Sequence, residues 1–266
     1  MLKFIARNKY KLIVFIIGLY IVIDVVQHKG LTRVLLPKTF PAYKTDTGFP
    51  QNKNTLINQN QEWDIAVNKK EFLNKINVNS SGFECDVYFD TVKNMFDVHH
   101  DVDNSSGLNL DSLLELYQQR ELKASIWLDF KNLNDSNCKP AVTELIRLRQ
   151  KYKLTNKLLV ESHNGYLLNA FSDSGFYTSY YAPTFNPYQI NDDEIKQWVD
   201  SISSAVSKSK LSALSGYYYQ HPFLHHYFPN YPILTWAAND RFSLVSWLFK
   251  RKIAGSKEIF IALYHR

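Results

Sequence analysis

Cysteine is scarce in this 266-residue chain: Cys85 and Cys138 stand far apart and in no CxxC or zinc-ligand spacing. That excludes a zinc ribbon or a CxxC redox site, while pairing of the two thiols in an oxidising compartment stays open. Glycine is sparse as well, at 9 residues, and no Gly-rich phosphate turn follows the first strand-like segment. A doubly wound open sheet binding a dinucleotide loses its usual signature by that absence. No internal repeat is present, and no block of Lys and Arg interleaved with aromatics. The formal net charge of +6 therefore does not point to nucleic acid, being partly concentrated at the N-terminus.

Long hydrophobic runs are also few, and the clearest lies near the N-terminus. MLKFIARNKYK carries Lys3, Arg7, Lys9 and Lys11 ahead of LIVFIIGLYIVI (residues 12–23), with Asp24 just beyond. Counted over residues 10–26 the segment reaches the short end of the roughly 17–25 residues that cross a bilayer. It is apolar on all sides, and no small-x-small cleavage site follows Ile23. The pattern favours an uncleaved signal anchor at 1–27 over a removed signal peptide, its cationic N-terminus cytoplasmic and the rest exported, periplasmic or extracellular. Residues 28–61 hold three prolines and many polar side chains without a sustained period, and read as a linker.

From residue 62 to 266 the pattern changes. Strand-like runs at 63–68, 82–90, 123–132, 158–163, 177–183, 211–219, 232–240 and 258–265 are mostly separated by segments of helical periodicity, such as 69–76, 108–122 and 140–153. The chain is 45% apolar and 15% aromatic, ample for a core. Eight such strands over some 200 residues is the count of a (β/α)8 TIM barrel, here with an N-terminal transmembrane signal-anchor helix.

The strand GFECDVYFD sets Glu84 and Asp86 two residues apart, so both project from one face. IWLDFKN does the same for Asp129 and Lys131. Two unpaired buried carboxylates would cost several kcal/mol, so a positive group belongs between them. A hard divalent cation, Mg²⁺ or Ca²⁺, held by Glu84, Asp86 and Asp129 meets that need; ordinary rim residues paired to Lys and Arg would meet it too. His99 and His100 follow in FDVHHD, beside Asp101, where an imidazole can move protons near neutral pH.

FECDVYFD, DVHHD, WLDFKN and LTWAAND, in that order, resemble the glycerophosphodiester phosphodiesterase-like barrels of the phospholipase C-like phosphodiesterase superfamily. AVN before E-x-D is also similar to the spider-venom phospholipase D and menorin-like branches of that group. The resemblance spans residues 62–266 and implies a phosphodiester or lipid-derived substrate. It implies Glu84, Asp86 and Asp129 as metal ligands, His100 as a proton-transfer residue and Lys131 as a phosphate contact. It also matches Trp236 to a segment lining the mouth, where a core aromatic is an equal reading. One position departs: where the family carries a first histidine, in sequences like H-x-V-N, this chain reads Ile65-Ala66-Val67-Asn68. Two outcomes follow from that departure, a phosphodiesterase, or an impaired barrel that binds a phosphorylated or glycan ligand at the membrane surface. His163, in LLVESHN, is a candidate substitute; Glu84 with Glu161 would be the pair for a glycosidase on the same fold.

Overall fold

The structure, a computed structural model, describes residues 2–36, 38–43, 48–101, 105, 107–236 and 242–265, with the backbone alone described for residues 2–8. In chain order the elements are α1 (Leu2–Gln27), α2 (Lys29–Leu35), β1 (Glu62–Asp64), α3 (Lys70–Leu73), β2 (Gly82–Asp90), β3 (Met95–Val98), α4 (Leu110–Gln119), β4 (Ser125–Phe130), α5 (Cys138–Lys151), β5 (Leu158–Ser162), α6 (Leu168–Asp173), β6 (Tyr177–Tyr181), α7 (Asp192–Ser207), β7 (Ala213–Tyr217), α8 (His221–Tyr227), β8 (Ile233–Trp236), α9 (Leu244–Ala254) and β9 (Ile259–Tyr264). They fall into two compact units, one of residues 1–39 and 239–256, the other of residues 40–238 and 257–266.

The larger unit is a barrel. Parallel pairing runs β1–β2–β4–β5–β6–β7–β8–β9, and β9 pairs back onto β1, so the sheet closes and leaves no parallel edge. The strands expected from hydrophobic alternation are the barrel strands. β3 is an addition, an antiparallel partner of β2 joined through a tight turn in which Asn94 takes φ 52° and Asp90 Oδ1 accepts the Val92 and Lys93 N–H groups.

Side-chain parity divides each strand between two cores. Outward residues such as Phe83, Cys85, Ile126, Leu128 and Val160 pack with α4, α5 and their neighbours in the larger core. Inward residues Trp63, Trp127, Leu159, Tyr177, Leu234 and Ile261 fill the barrel floor. Gly82 is inward on β2, and a Cβ there would lie 2.2 Å from the Trp63 indole, so only glycine admits that ring. Helix starts follow local chemistry: Asn109 caps α4 by accepting the Ser112 N–H, and Asn191 with Glu194 forms a capping box at α7. Cys85 and Cys138 are buried free thiols.

The segment expected to link anchor and barrel contains a helix and a buried side chain. Residues 29–35 are helical, and Asn52 is buried in the barrel unit, its side chain donating to the Phe176 carbonyl and Thr178 Oγ1 at 2.8 and 2.9 Å. In the smaller unit α1, α2 and α9 pack together. Residues Lys9–Gln27 of α1 are long and apolar enough to cross a membrane; from residue 10 to 27 every side chain is exposed except Asp24.

Candidate active site in the barrel mouth

The inward parity that fills the floor with apolar rings turns polar one tier higher. Cross-strand register sets Asp86 beside Asp129 and Asp129 beside Glu161, with Glu84 one inward step below Asp86 and opposite Trp127. These residues line one cavity of about 470 Å³ together with Ile65, His100, Lys131, Tyr181, Tyr217, Tyr218, Trp236, Leu263 and His265. The sequence-predicted residues Glu84, Asp86, Asp129, Lys131, His100 and Trp236 are therefore gathered at one place. Of the LTWAAND segment, residues 237–240 lie outside the described residues.

Glu84, Asp86 and Asp129 each offer an oxygen within 4.8 Å of the others. At an effective dielectric constant of about 20, two unit charges that close repel by roughly 3–4 kcal/mol. Lys131 offsets part of this: its Nζ lies 2.7 Å from Asp86 Oδ1 and bonds Asp129 Oδ2. Burial opposes the Lys131 charge, but Asp129 and Asp86 outweigh it and push its pKa up. Glu84 is left to a backbone donor, the Ala66 N–H at 2.7 Å from Oε2. Burial first, then the charges of Asp86 and Asp129, raise its pKa well above the carboxylate range. Burial likewise raises Asp129 against the pull of Lys131.

The backbone pays for that donor in strain, since Ala66 ends β1 in the left-handed region at φ 58°. Asn68 completes the frame, donating from Nδ2 to Asp86 Oδ2 and accepting the Asp86 N–H at 2.9 Å. An all-oxygen donor set, two of its three carboxylates buried, under-neutralised and held from behind by an amide and a backbone N–H, fits a hard divalent cation.

Glu161 extends the acidic row. It is 1% exposed, and its Oε2 has no hydrogen-bond partner. Burial, followed by the Asp129 charge, raises its pKa well above the usual value. Such a shift favours the protonated carboxyl, whose O–H can donate.

His100 enters from the turn after β3. Its Nδ1 lies 2.9 Å from Asp101 Oδ1, which directs Nδ1–H to the carboxylate and leaves Nε2 free, and the side chain is 69% exposed. His99 turns away and stacks on Tyr88 at 4.3 Å. Ile65 lines the cavity with Glu84 and His100 and presents an aliphatic side chain there. His163 lies three strands from β1, its ring stacked on Tyr181 at 3.8 Å and its Nδ1 3.1 Å from the Tyr181 carbonyl oxygen. Opposite the acids the wall is aromatic: Trp236 meets Tyr181 edge-on at 4.9 Å and Tyr217 at 5.4 Å.

Several lining residues were beyond the sequence reading. Tyr217 and Leu263 line the cavity at inward positions, which two-residue parity along β7 from Ala213 and along β9 from Ile261 reaches.

Fold and site together define a closed (β/α)8 barrel with a cluster of carboxylates that could hold a metal ion and a lysine among them at its mouth. No family model matches the chain, and no curated protein matches it. Solved structures do. A glycerophosphodiester phosphodiesterase from Parabacteroides distasonis superposes with a TM-score of 0.52 at 14% identity, over 77% of this chain and 93% of its own. An Oleispira antarctica phosphodiesterase in complex with the product sn-glycerol-3-phosphate gives 0.52 at 12% identity, over 77% and 92%. The chain shares their fold.

Proposed function

We propose that the protein is a divalent-cation-dependent phosphodiesterase that cleaves glycerophosphodiesters or lysophospholipid-like diesters. The observation that carries this reading is the convergence of Glu84, Asp86 and Asp129 within 4.8 Å, with Lys131 among them, in the mouth of a barrel of this fold. A structural neighbour with that fold holds sn-glycerol-3-phosphate as its product, which supports a glycerol-linked diester as substrate.

Glu84, Asp86 and Asp129 would hold Mg²⁺ or Ca²⁺, which when bound neutralises and polarises a phosphoryl oxygen. Lys131 holds a second phosphate oxygen as a point charge. His100 moves a proton at Nε2, with Asp101 fixing its tautomer. The aromatic half of the mouth, Tyr181, Tyr217 and Trp236, receives the less polar portion of the substrate. Helix α1 anchors the chain as a single pass with a cytoplasmic N-terminus and an exported barrel.

A second reading rests on Ile65: a barrel that binds a cation and a phosphorylated or glycan ligand without turnover, the aromatic wall stacking on sugar faces. Release of alcohol from glycerophosphocholine or a lysophospholipid, dependent on added Mg²⁺ or Ca²⁺ and lost in Glu84→Gln, supports the enzyme. Cation binding without release from any diester supports the binding barrel.

A further inference from the structure

Hydrolysis of a phosphodiester needs two proton movements. Water or a neighbouring hydroxyl loses a proton as its oxygen bonds to phosphorus, and the departing oxygen gains one as the P–O bond breaks with its electron pair. One imidazole, His100, is in place, and Ile65 can do neither task. The closing seam of the barrel holds a second.

β9 pairs in parallel with β1 in the register Ala262–Glu62, Leu263–Trp63 and Tyr264–Asp64. The Ile65 N–H continues the ladder to the Tyr264 carbonyl at 3.1 Å, so the next residue along β9, His265, stands beside Ile65. Parity agrees: Ile261 and Leu263 are inward, and His265 is the next inward position. It lines the same cavity as Ile65, Glu84 and His100, and it is exposed to the cavity's solvent. β1 has β9 on one side and β2 on the other, so His265 and His100 approach the acidic centre from the two flanks of the strand that lacks an imidazole.

We propose that His265 is the second proton-transfer residue, an imidazole relocated by one strand from position 65; this rests on the phosphodiesterase reading. One of His100 and His265 accepts the proton of the attacking hydroxyl, and the other donates a proton to the leaving alkoxide. For attack by water the balance is diester plus water to phosphomonoester plus alcohol, with the attacking and leaving protons accounted for between the two rings. Both rings are solvent-exposed, so bulk water resets them after each turnover.

The test uses the full chain in detergent with glycerophosphocholine and Mg²⁺, and Mn²⁺ titration as the separate measure of the cation centre. His265→Asn is expected to lower kcat by about 10²-fold or more while Mn²⁺ affinity stays within about twofold. Adding Ile65→His to that variant is expected to restore at least a tenth of the lost rate, because the imidazole returns to the adjacent strand. Wild-type-like turnover in His265→Asn overturns the assignment and leaves the phosphodiesterase reading standing. A wild-type chain that binds Mn²⁺ yet turns over no diester overturns both. A loss of turnover accompanied by a loss of Mn²⁺ binding, with no rescue by Ile65→His, also overturns the assignment, since it marks His265 as a structural support of the mouth.

Discussion

Lys131 carries the electrostatic balance of the barrel mouth, because its ammonium bridges Asp86 and Asp129 while Glu84 has only a backbone N–H. Lys131→Met leaves the buried Glu84 and Asp86 and the half-buried Asp129 facing one another and is expected to destabilise the barrel by about 3 kcal/mol in EDTA. Added Mg²⁺ should recover most of that loss, because a cation at the same oxygens replaces the missing charge. Thermal denaturation with and without Mg²⁺ measures both; an unchanged midpoint in EDTA would contradict the charge balance. Glu161 makes a pH prediction. Its folded pKa is raised, so stability is greatest below the ordinary value of 4.5, where folded and unfolded states are both protonated, and falls as pH climbs through the raised pKa. Glu161→Gln should therefore stabilise the cation-free protein at neutral pH by about 1 kcal/mol or more, and the gain should vanish below about pH 4.5.

At the scale of elements, β2 ties site to core: Glu84 and Asp86 face the mouth while Phe83, Cys85 and Val87 fill the layer beneath the helices. Gly82→Ala would drive a methyl into the Trp63 indole on the neighbouring strand and is expected to cost about 3 kcal/mol in urea denaturation. A near-neutral result would mean that β1 can move aside. This parity was legible in GFECDVYFD and IWLDFKN, because side-chain alternation needs only two-residue spacing. Other features were not. WDIAVN reads as one strand, yet β1 stops at Asp64 because Ala66 turns left-handed, a conformation no sequence signal marks for alanine. β3 was hidden because MFDV continues the acidic stretch without an Asn-Gly or Asp-Gly turn before it. His265 was passed over for a different reason: closure makes the last strand a neighbour of the first, a long-range fact that local periodicity does not carry.

For the whole molecule, residues 10–27 of α1 invert the burial pattern of a soluble helix, with the apolar side chains exposed and the one acid, Asp24, buried. Asp24 Oδ2 accepts the Val245 N–H at 3.0 Å at the start of α9, and Asp24 Oδ1 lies 3.1 Å from His28 Nδ1. Ser243 caps α9 by accepting the Ser246 N–H, so Asp24→Ala should remove only the acceptor of the Val245 N–H, at a cost of about 1 kcal/mol, seen as faster amide exchange in the first turn of α9 in detergent micelles. Unchanged exchange there would remove Asp24 as the link between the two helices. The anchor reading predicts that the full chain stays with the membrane fraction after carbonate washing, and that protease added on the exported side digests the barrel; a chain released by carbonate would contradict it.

The chemistry of the mouth admits a direct trial. Purified full-length protein is incubated with glycerophosphocholine in Mg²⁺, in Ca²⁺ and in EDTA, and free choline and glycerol-3-phosphate are quantified, with Glu84→Gln and Asp86→Asn run alongside. Release of both products that depends on the divalent cation and falls by at least about 10²-fold in each variant is the predicted result. Release that persists in EDTA and in both variants would contradict the assignment of Glu84, Asp86 and Asp129 as the cation centre of a phosphodiesterase.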